Sequence, residues 1–508
     1  MDTLNSIISG FSVVLSPENL LYVFLGVFIG MIIGVLPGLG SSATMALVLP
    51  FTFQLPAEGA LIMLAGIYYG SMYGGTITSV LLRLPGESAT VVTTFDGYQM
   101  AKQGRAGAAL GIAAIGSFVG GTVAIVGLSF LAPPLAQFAI GFGAPEYTAL
   151  AVLGILLVSY LGTKSFTKSL IAASAGLLLA TIGQDPVAGT PRFTLGSLEL
   201  LGGLDFLVLA VGLFGIADVL HNLDEQTSGR PTATTVSRVW PSRRDISQAK
   251  GAIGRGSVIG FFIGILPGGG GVMSSLASYA IEKRRAKEPQ RFGRGAIEGV
   301  AGPETANNAG STSAFIPLLT LGIPANSATA ILYGALLLQG ITPGPFLITR
   351  EPDVFWGVID SMYIGNLFLL IMSVPLVGIF IQILRVRLTI LGPIAIIVTM
   401  LGTYSINNNV FDMWVALAAG VVGYFMMKSG FEPGPLVLAF LLGSLLETSF
   451  RKSLAISAGD LTIFVTRPVS ATLFALIAIA IGISIFQYLR RRGRSDEHAD
   501  RPALDSEK

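Results

Sequence analysis

The sequence has no cysteine among its 508 residues, so disulfides, thiol nucleophiles and cysteine metal ligands are excluded. Histidine is scarce too. His221 and His498 both lie beside polar stretches, which argues against a histidine-rich metal centre. Charged residues make up 12% of the chain, against about 25% in ordinary globular proteins. The formal net charge of +2 offers nothing for nucleic acid. No Ser–His pair, acidic–histidine cluster or metal-ligand spacing marks a catalytic centre, so neither an enzyme nor a bound cofactor is expected. The N-terminus has no basic segment followed by a small-residue cleavage site, and it does not read as a cleaved signal peptide.

What the chain does have is apolar sequence. Hydrophobic residues form 52% of it, in runs of membrane-spanning length that recur from 20 to 489. A span needs ~20 mainly apolar residues, and about 12 transmembrane or re-entrant segments fit. The fold class is therefore an all-α polytopic membrane protein. The 64 glycines and 26 prolines are not gathered in a linker. Many lie within apolar segments, where small residues let helices approach closely and broken helices need permissive backbone.

The positions of the basic residues set a topology, since Lys and Arg gather in cytoplasmic loops. Residues 222–250 contain Arg230, Arg238, Arg243, Arg244 and Lys250, and 282–294 contain Lys283, Arg284, Arg285, Lys287, Arg291 and Arg294. With both stretches inside, 253–281 enters and leaves on one side as a re-entrant hairpin. Lys102/Arg105 and Lys164/Lys168 mark further inside loops. The tail, beginning RRRGR after Leu489, places the C-terminus in the cytoplasm. The first 19 residues hold no Lys or Arg and suit a periplasmic N-terminus. The resulting division is 1–19 periplasmic, 20–221 a first membrane repeat, 222–252 a cytoplasmic linker, 253–466 a second repeat, 467–489 an additional helix and 490–508 a cytoplasmic tail. Within it, 313–338 and 434–466 are each read as single crossings.

The two halves repeat motifs in the same order. GVLPGLGSSATMALVLPF (34–51) pairs with GILPGGGGVMSSLASYAI (264–281), and RLPGESAT (83–90) pairs with GIPANSAT (322–329). The topology puts the first hairpin outside and the second inside, which makes the halves inverted repeats. Transporters built this way place their site near the midplane, where broken helices meet. Non-helical backbone survives in a membrane only within protein or beside water, and a half-helix N-terminus attracts anions. Gly38, Gly40, Ser41 and Ser42 open one half-helix, and Gly268, Gly269 and Gly270 open the other. Gly86, Ser88 and Thr90, with Ser327 and Thr329, follow the breaks at Pro85 and Pro324.

The runs PGESATVVTTFDGYQMAKQGRAGAALG (85–111) and AGPETANNAGSTSAFIPLLTLGIP (301–324) resemble the large membrane subunit of the tripartite tricarboxylate transporter family, the TctA-like permeases. The resemblance extends from the first break to about 465. It implies a multi-pass protein of the bacterial inner membrane and ion-coupled secondary import of small organic anions, tricarboxylates or other carboxylates, by alternating access, elevator-like motion included. It also implies two partners: a small TctB-like membrane subunit and a periplasmic TctC-like substrate-binding protein. A homo-oligomer is left open. Asn326 and Glu87 depart from the pattern of many relatives and point away from a fixed tricarboxylate preference.

Several side chains carry two readings. Asn307 and Asn308 either bind substrate or a coupling cation, or cap a helix starting near Thr312. Glu87 is either a sodium or proton site or the cap of a short helix at Pro85. Glu304 reads as a cap or ion-pair partner. Asp96 reads as ordering a turn with Gly97, Glu146 as a helix start, and Glu447 with Arg451 as an ion pair. Arg83 either neutralises the anion or snorkels to the membrane surface. Binding is thus assigned to the break residues with Asn307, Asn308 and Asn326, and Na+ or H+ coupling to Glu87, Asn307 and Asn308. A single-component cation-coupled carboxylate symporter is the alternative function. A channel and a lipid- or carbohydrate-directed membrane enzyme are the more distant readings.

Overall fold

The computed structural model describes residues 3–36, 40–161, 165–224, 240–373, 375–383, 388–479 and 481–482. Gly38, Lys164, Arg230, Arg238, His498 and the basic tail lie outside the described residues. The first half comprises α1 (Thr3–Val14), α2 (Pro17–Val35), α3 (Ser41–Thr52), α4 (Ala57–Leu82), α5 (Thr93–Lys102), α6 (Ala106–Ile140), α7 (Ala144–Leu161), α8 (Phe166–Leu179) and α9 (Phe206–Asp224), the last π-helical over 211–216. The second comprises α10 (Arg243–Gly264), α11 (Gly270–Arg285), α12 (Glu298–Ser313), α13 (Phe315–Leu321), α14 (Ser327–Leu338), α15 (Pro352–Ser373), α16 (Val377–Ile383), α17 (Leu388–Asn407), α18 (Val410–Lys428), α19 (Pro433–Ile456) and α20 (Pro468–Ile479). Among the described residues the only sheet is a two-residue hairpin pairing Gly183 with Arg192 and Gln184 with Pro191.

The chain is an all-α polytopic membrane protein. Among the described residues six helices are long and apolar enough to cross a membrane: α2, α6, α9, α15, α18 and α19. Among the same residues α1, α3, α8, α14 and α20 are shorter apolar helices, too short to span unaided.

Glycine ladders hold the centre together. Along α2, a Cβ added at Gly26, Gly30 or Gly34 would lie 2.4, 2.5 and 2.4 Å from the carbonyl oxygens of Met63, Ile67 and Ser71 on α4. Along α10, one added at Gly256, Gly260 or Gly264 would lie 2.6, 2.3 and 2.2 Å from the carbonyl oxygens of Gly302, Ala306 and Gly310 on α12. Nothing larger than glycine fits on the touching stripe, and helices in lipid associate through such close contact. The same device is used twice, on the helix that leads into each Pro-Gly break.

The second ladder corrects the sequence reading of 301–313. This stretch, rich in Gly, Ser, Thr and Asn, is not a lead-in to a helix near Thr312. It is the buried helix α12, which begins at Glu298. Nor is 313–338 one crossing: it breaks at 322–326 between α13 and α14, with Gly322 left-handed at φ 70°. The 434–466 segment likewise ends as α19 at Ile456 and turns through Ala458 and Gly459, both of positive φ (52° and 91°).

Candidate functional site

The breaks converge. α3 starts one residue after Gly40, and α11 starts at Gly270 behind Gly268, with φ of 45° and 79° at the two. These left-handed values favour glycine, which has no Cβ to clash. Gly268 N–H donates to the Ala325 carbonyl at 2.7 Å, joining the second hairpin to the break between α13 and α14. There Asn326 forms a capping box: its Oδ1 accepts from Thr329 N at 3.0 Å, and its own N–H donates to Thr329 Oγ1 at 2.9 Å. A cavity of about 390 Å³ opens between these parts. Ser41, Ser42, Glu87 and Ser88 line it from the first half, and 268–271, Asn326 and Ser327 from the second.

The described lining contains no Lys, Arg or His. Arg83 is exposed at the C-terminal end of α4 and is not part of the lining. The groups of this lining suited to attract an anion are the first-turn N–H groups of α3 and α11, which have no acceptor within their own helices. At α3 the chain supplies the acceptor itself. The buried Glu87 carboxylate accepts from Ser41 N–H, in a short contact, and from Ser71 Oγ at 3.3 Å. Glu87 therefore does cap a helix, but α3 rather than one at Pro85.

Not every residue expected here reaches the cavity. Thr90 accepts from Ser79 Oγ at 2.9 Å and donates to the Glu87 carbonyl at 2.8 Å. Thr329 is held in its capping box. Gly86 is packed so tightly that an added Cβ would lie 2.0 Å from the Gly34 carbonyl oxygen. These three shape the breaks. The two asparagines separate. Asn308 Nδ2 donates to Ser117 Oγ at 2.7 Å and to the Glu304 carbonyl at 3.1 Å, tying α12 to α6. Asn307 is fully buried, and neither its amide nitrogen nor its amide oxygen has a hydrogen-bond partner. It lies against α11: a Cβ on Gly271 would be 2.4 Å from Asn307 Oδ1 and 3.0 Å from Ser311 Oγ.

Glu304 is neither a helix cap nor half of an ion pair. It is buried mid-helix and accepts from Thr76 Oγ1 at 2.7 Å and, in a short contact, from Thr93 Oγ1. Asp96 does not order a local turn with Gly97. Its Oδ1 accepts from the N–H groups of Gly293, Gly295 and Ala296 at 2.8–2.9 Å, and its Oδ2 from Tyr279 O–H at 2.9 Å. Glu146 does sit in the first turn of α7, accepting from Gly143 N–H at 2.8 Å, and Glu447 pairs with Arg451 at 2.8 Å.

The sequence reading missed four polar residues of the lining, Tyr68, Ser311, Asp218 and Glu432, and one buried acid away from it. Ser311 lies one helical turn after Asn307 and Asp218 interrupts the apolar run of α9, so both carried a readable signal. Asp360, on α15, is buried with both carboxylate oxygens unpaired, close against Gly10 of α1 and away from the cavity. Among the described residues no cluster of three His, Asp or Glu side chains is placed to hold a metal ion.

The model of the tripartite tricarboxylate transporter TctA family matches residues 20–438. An Agrobacterium vitis protein described as "Uncharacterized 52.8 kDa protein in TAR-I ttuC' 3'region" is 47% identical over 492 residues, 97% of this chain and 98% of its own length. A second, described as "Uncharacterized protein in TAR-II ttuC' 3'region", is 49% identical over 233 residues, 46% of this chain and 96% of its own. No solved structure matches the chain. The family match and the full-length relative together make this chain a member of the tripartite tricarboxylate transporter TctA family.

Proposed function

We propose that this chain is the large permease subunit of a binding-protein-dependent secondary transporter that imports small organic anions, carboxylates in particular, across the bacterial inner membrane. The carrying observation is that broken helices from both halves end at one cavity whose described lining has helix N-termini, hydroxyls, the Asn326 amide and the acidic Glu87, Asp218 and Glu432, but no basic side chain. Such a site holds an anion through backbone dipoles and needs a co-bound cation to offset the charge it moves, which supports coupling to Na+ or H+. Asn307 and Glu87 are the coupling candidates. Asn308 is committed to Ser117 and belongs to the framework.

The two glycine-laddered hairpins act as inverted repeats moving against longer helices, in the manner of an elevator. Loop contacts support the proposed sidedness. Among loops assigned to the inside, Arg105 pairs with Asp245 at 2.6 Å, Gln103 bonds the Arg294 carbonyl at 2.8 Å and Lys168 bonds the Ser429 carbonyl at 2.7 Å. Among those assigned to the outside, Arg467 pairs with Glu146 at 2.6 Å. The N-terminus is then periplasmic and the C-terminus cytoplasmic. The partners are a small membrane subunit and a periplasmic binding protein.

The test is radiolabelled carboxylate uptake into proteoliposomes holding this chain with both partners, with and without a sodium or proton gradient. Uptake should require the gradient and the binding protein, and should be lost in Gly271→Ala, whose new methyl collides with Asn307. Uptake by this chain alone would replace the tripartite reading with a single-component symporter. Absence of uptake for every organic anion would overturn the substrate class.

A further inference from the structure

The two half-helices are built alike but finished differently. In the paired motifs Gly40 corresponds to Gly270, and Glu87 corresponds to Asn326. The structure keeps this correspondence in space. A Cβ on Gly40 would lie 3.6 Å from both Glu87 carboxylate oxygens, and one on Gly270 would lie 3.4 Å from Asn326 Nδ2. Each half-helix thus begins beside the side chain that follows its own half's second Pro-based break. On α3 that side chain is a carboxylate, seated on Ser41 N–H. On α11 it is an amide, turned to its own helix α14 and donating to Tyr68 Oη at 2.9 Å.

The α11 end also has unused polar groups. Ser311 Oγ, in the cavity wall that Tyr68 also lines, has no hydrogen-bond partner although the residue is only 1% exposed. The amide of Asn307 beside it is unpartnered on both atoms. Buried polar groups without partners are costly to fold, so a place that gathers them is shaped for something that pairs with them.

We infer that the cavity is polarised. The carboxylate of the cargo docks at the start of α11, against the first-turn N–H groups, Ser327 and Ser311. Glu87 occupies the equivalent seat on α3 and meets the far end of the cargo as a hydrogen-bond acceptor. The chain's own carboxylate on α3 is the template for the group that α11 receives from outside. Glu87 is then a specificity-determining residue. The favoured cargo carries one ionised carboxylate and, at its other end, a hydrogen-bond donor such as an amide, a hydroxyl or a protonated carboxyl. A second ionised carboxylate is disfavoured, because it would face Glu87 with no basic residue in the described lining. The other titratable groups of that lining are Tyr68 and two further carboxylic acids, Asp218 and Glu432, which add no positive charge and disfavour a second anionic group still more. This inference rests on the carboxylate-site reading above.

The experiment is isothermal titration of the purified full-length chain in nanodiscs at pH 8. The probes are matched pairs of a dicarboxylate and its monoamide: malonate and malonamate, succinate and succinamate, glutarate and glutaramate. The wild-type protein should bind the monoamide of its best pair at least tenfold more tightly than the diacid. Glu87→Gln keeps an oxygen for Ser41 N–H and should erase or reverse that preference. Asn326→Asp should weaken both members of the pair. A wild-type preference for the diacid, or a ratio unchanged in Glu87→Gln, would overturn the polarity while leaving a carboxylate site in place. No binding of any pair by any of the three proteins, each folded by circular dichroism, would overturn the carboxylate site and the polarity together.

Discussion

In the first half, α2 rests on α4 through Gly26, Gly30 and Gly34. In the second, α10 rests on α12 through Gly256, Gly260 and Gly264, at nearly the same distances. The ladders match, but the chemistry at their cavity ends does not. Glu87 seals the start of α3, while Asn326 leaves the start of α11 to the cavity. The positions that the ladders align with Asn307 and Ser311 are Tyr68 and Met72 in the first half. Packing therefore repeats where it builds the framework and diverges where it meets the cavity. The two frameworks share their backbone geometry where glycine ladders tolerate no side chain. Residues at the break can change without disturbing that packing.

The comparison is broken most severely at the ladders. Gly30→Leu and Gly260→Leu drive a side chain into the Ile67 and Ala306 carbonyls, which lie 2.5 and 2.3 Å from an added Cβ. Each should cost at least the upper end of the range of about 1–3 kcal/mol for overpacking, and detergent melting curves should show comparable losses for the two. If one variant were tolerated and the other not, the halves would not be equivalent frameworks.

Asn307 and Asn308 sharpen the contrast between site and framework. Asn307→Ala removes no hydrogen bond within the protein, so uptake should fall at least tenfold with the melting temperature nearly unchanged. Asn308→Ala abandons Ser117 Oγ and should destabilise by about 1–3 kcal/mol. Measuring uptake and melting on both variants checks the division, and a reversed pattern would exchange their roles.

The smallest effect lies outside both breaks and serves as a control. Asp185 accepts from the N–H groups of Val187 and Ala188 and pairs with Arg451. The two backbone donors, then Arg451, pull its pKa down from 3.8 to about 2. A lowered folded-state pKa means that the tether is fully present above about pH 4 and is lost as the pH falls toward 2. Hydrogen exchange of the 183–203 loop should quicken over that window in the wild type and be flat in Asp185→Asn, with no change near the cavity.

The sequence made the breaks legible because a proline followed by glycines within an apolar run is costly unless the backbone is needed there. Cavity-lining Ser41, Ser42, Ser88, Asn326 and Ser327 followed from that logic. The 301–313 stretch did not, because its polar residues imitate a loop. It is helical because neighbouring helices pair Glu304 and Asn308, and because its glycines and alanines press on α10. Asp96 was misread for a related reason: its backbone partners lie 197–200 residues away, beyond any local pattern. The π-helical stretch of α9 and the unpaired Asp360 left no periodic signal either.

The absence of cysteine allows the central claim, one site shared by the two breaks, to be tested cleanly. Single-cysteine proteins Ser42→Cys and Ser327→Cys would be reconstituted with both partners and treated with a charged, membrane-impermeant thiol reagent, with and without the transported carboxylate. The account predicts that both cysteines react, that both are protected by the same anion over the same concentration range, and that modifying either one stops uptake. Protection at only one position, or continued uptake after both are modified, would contradict it.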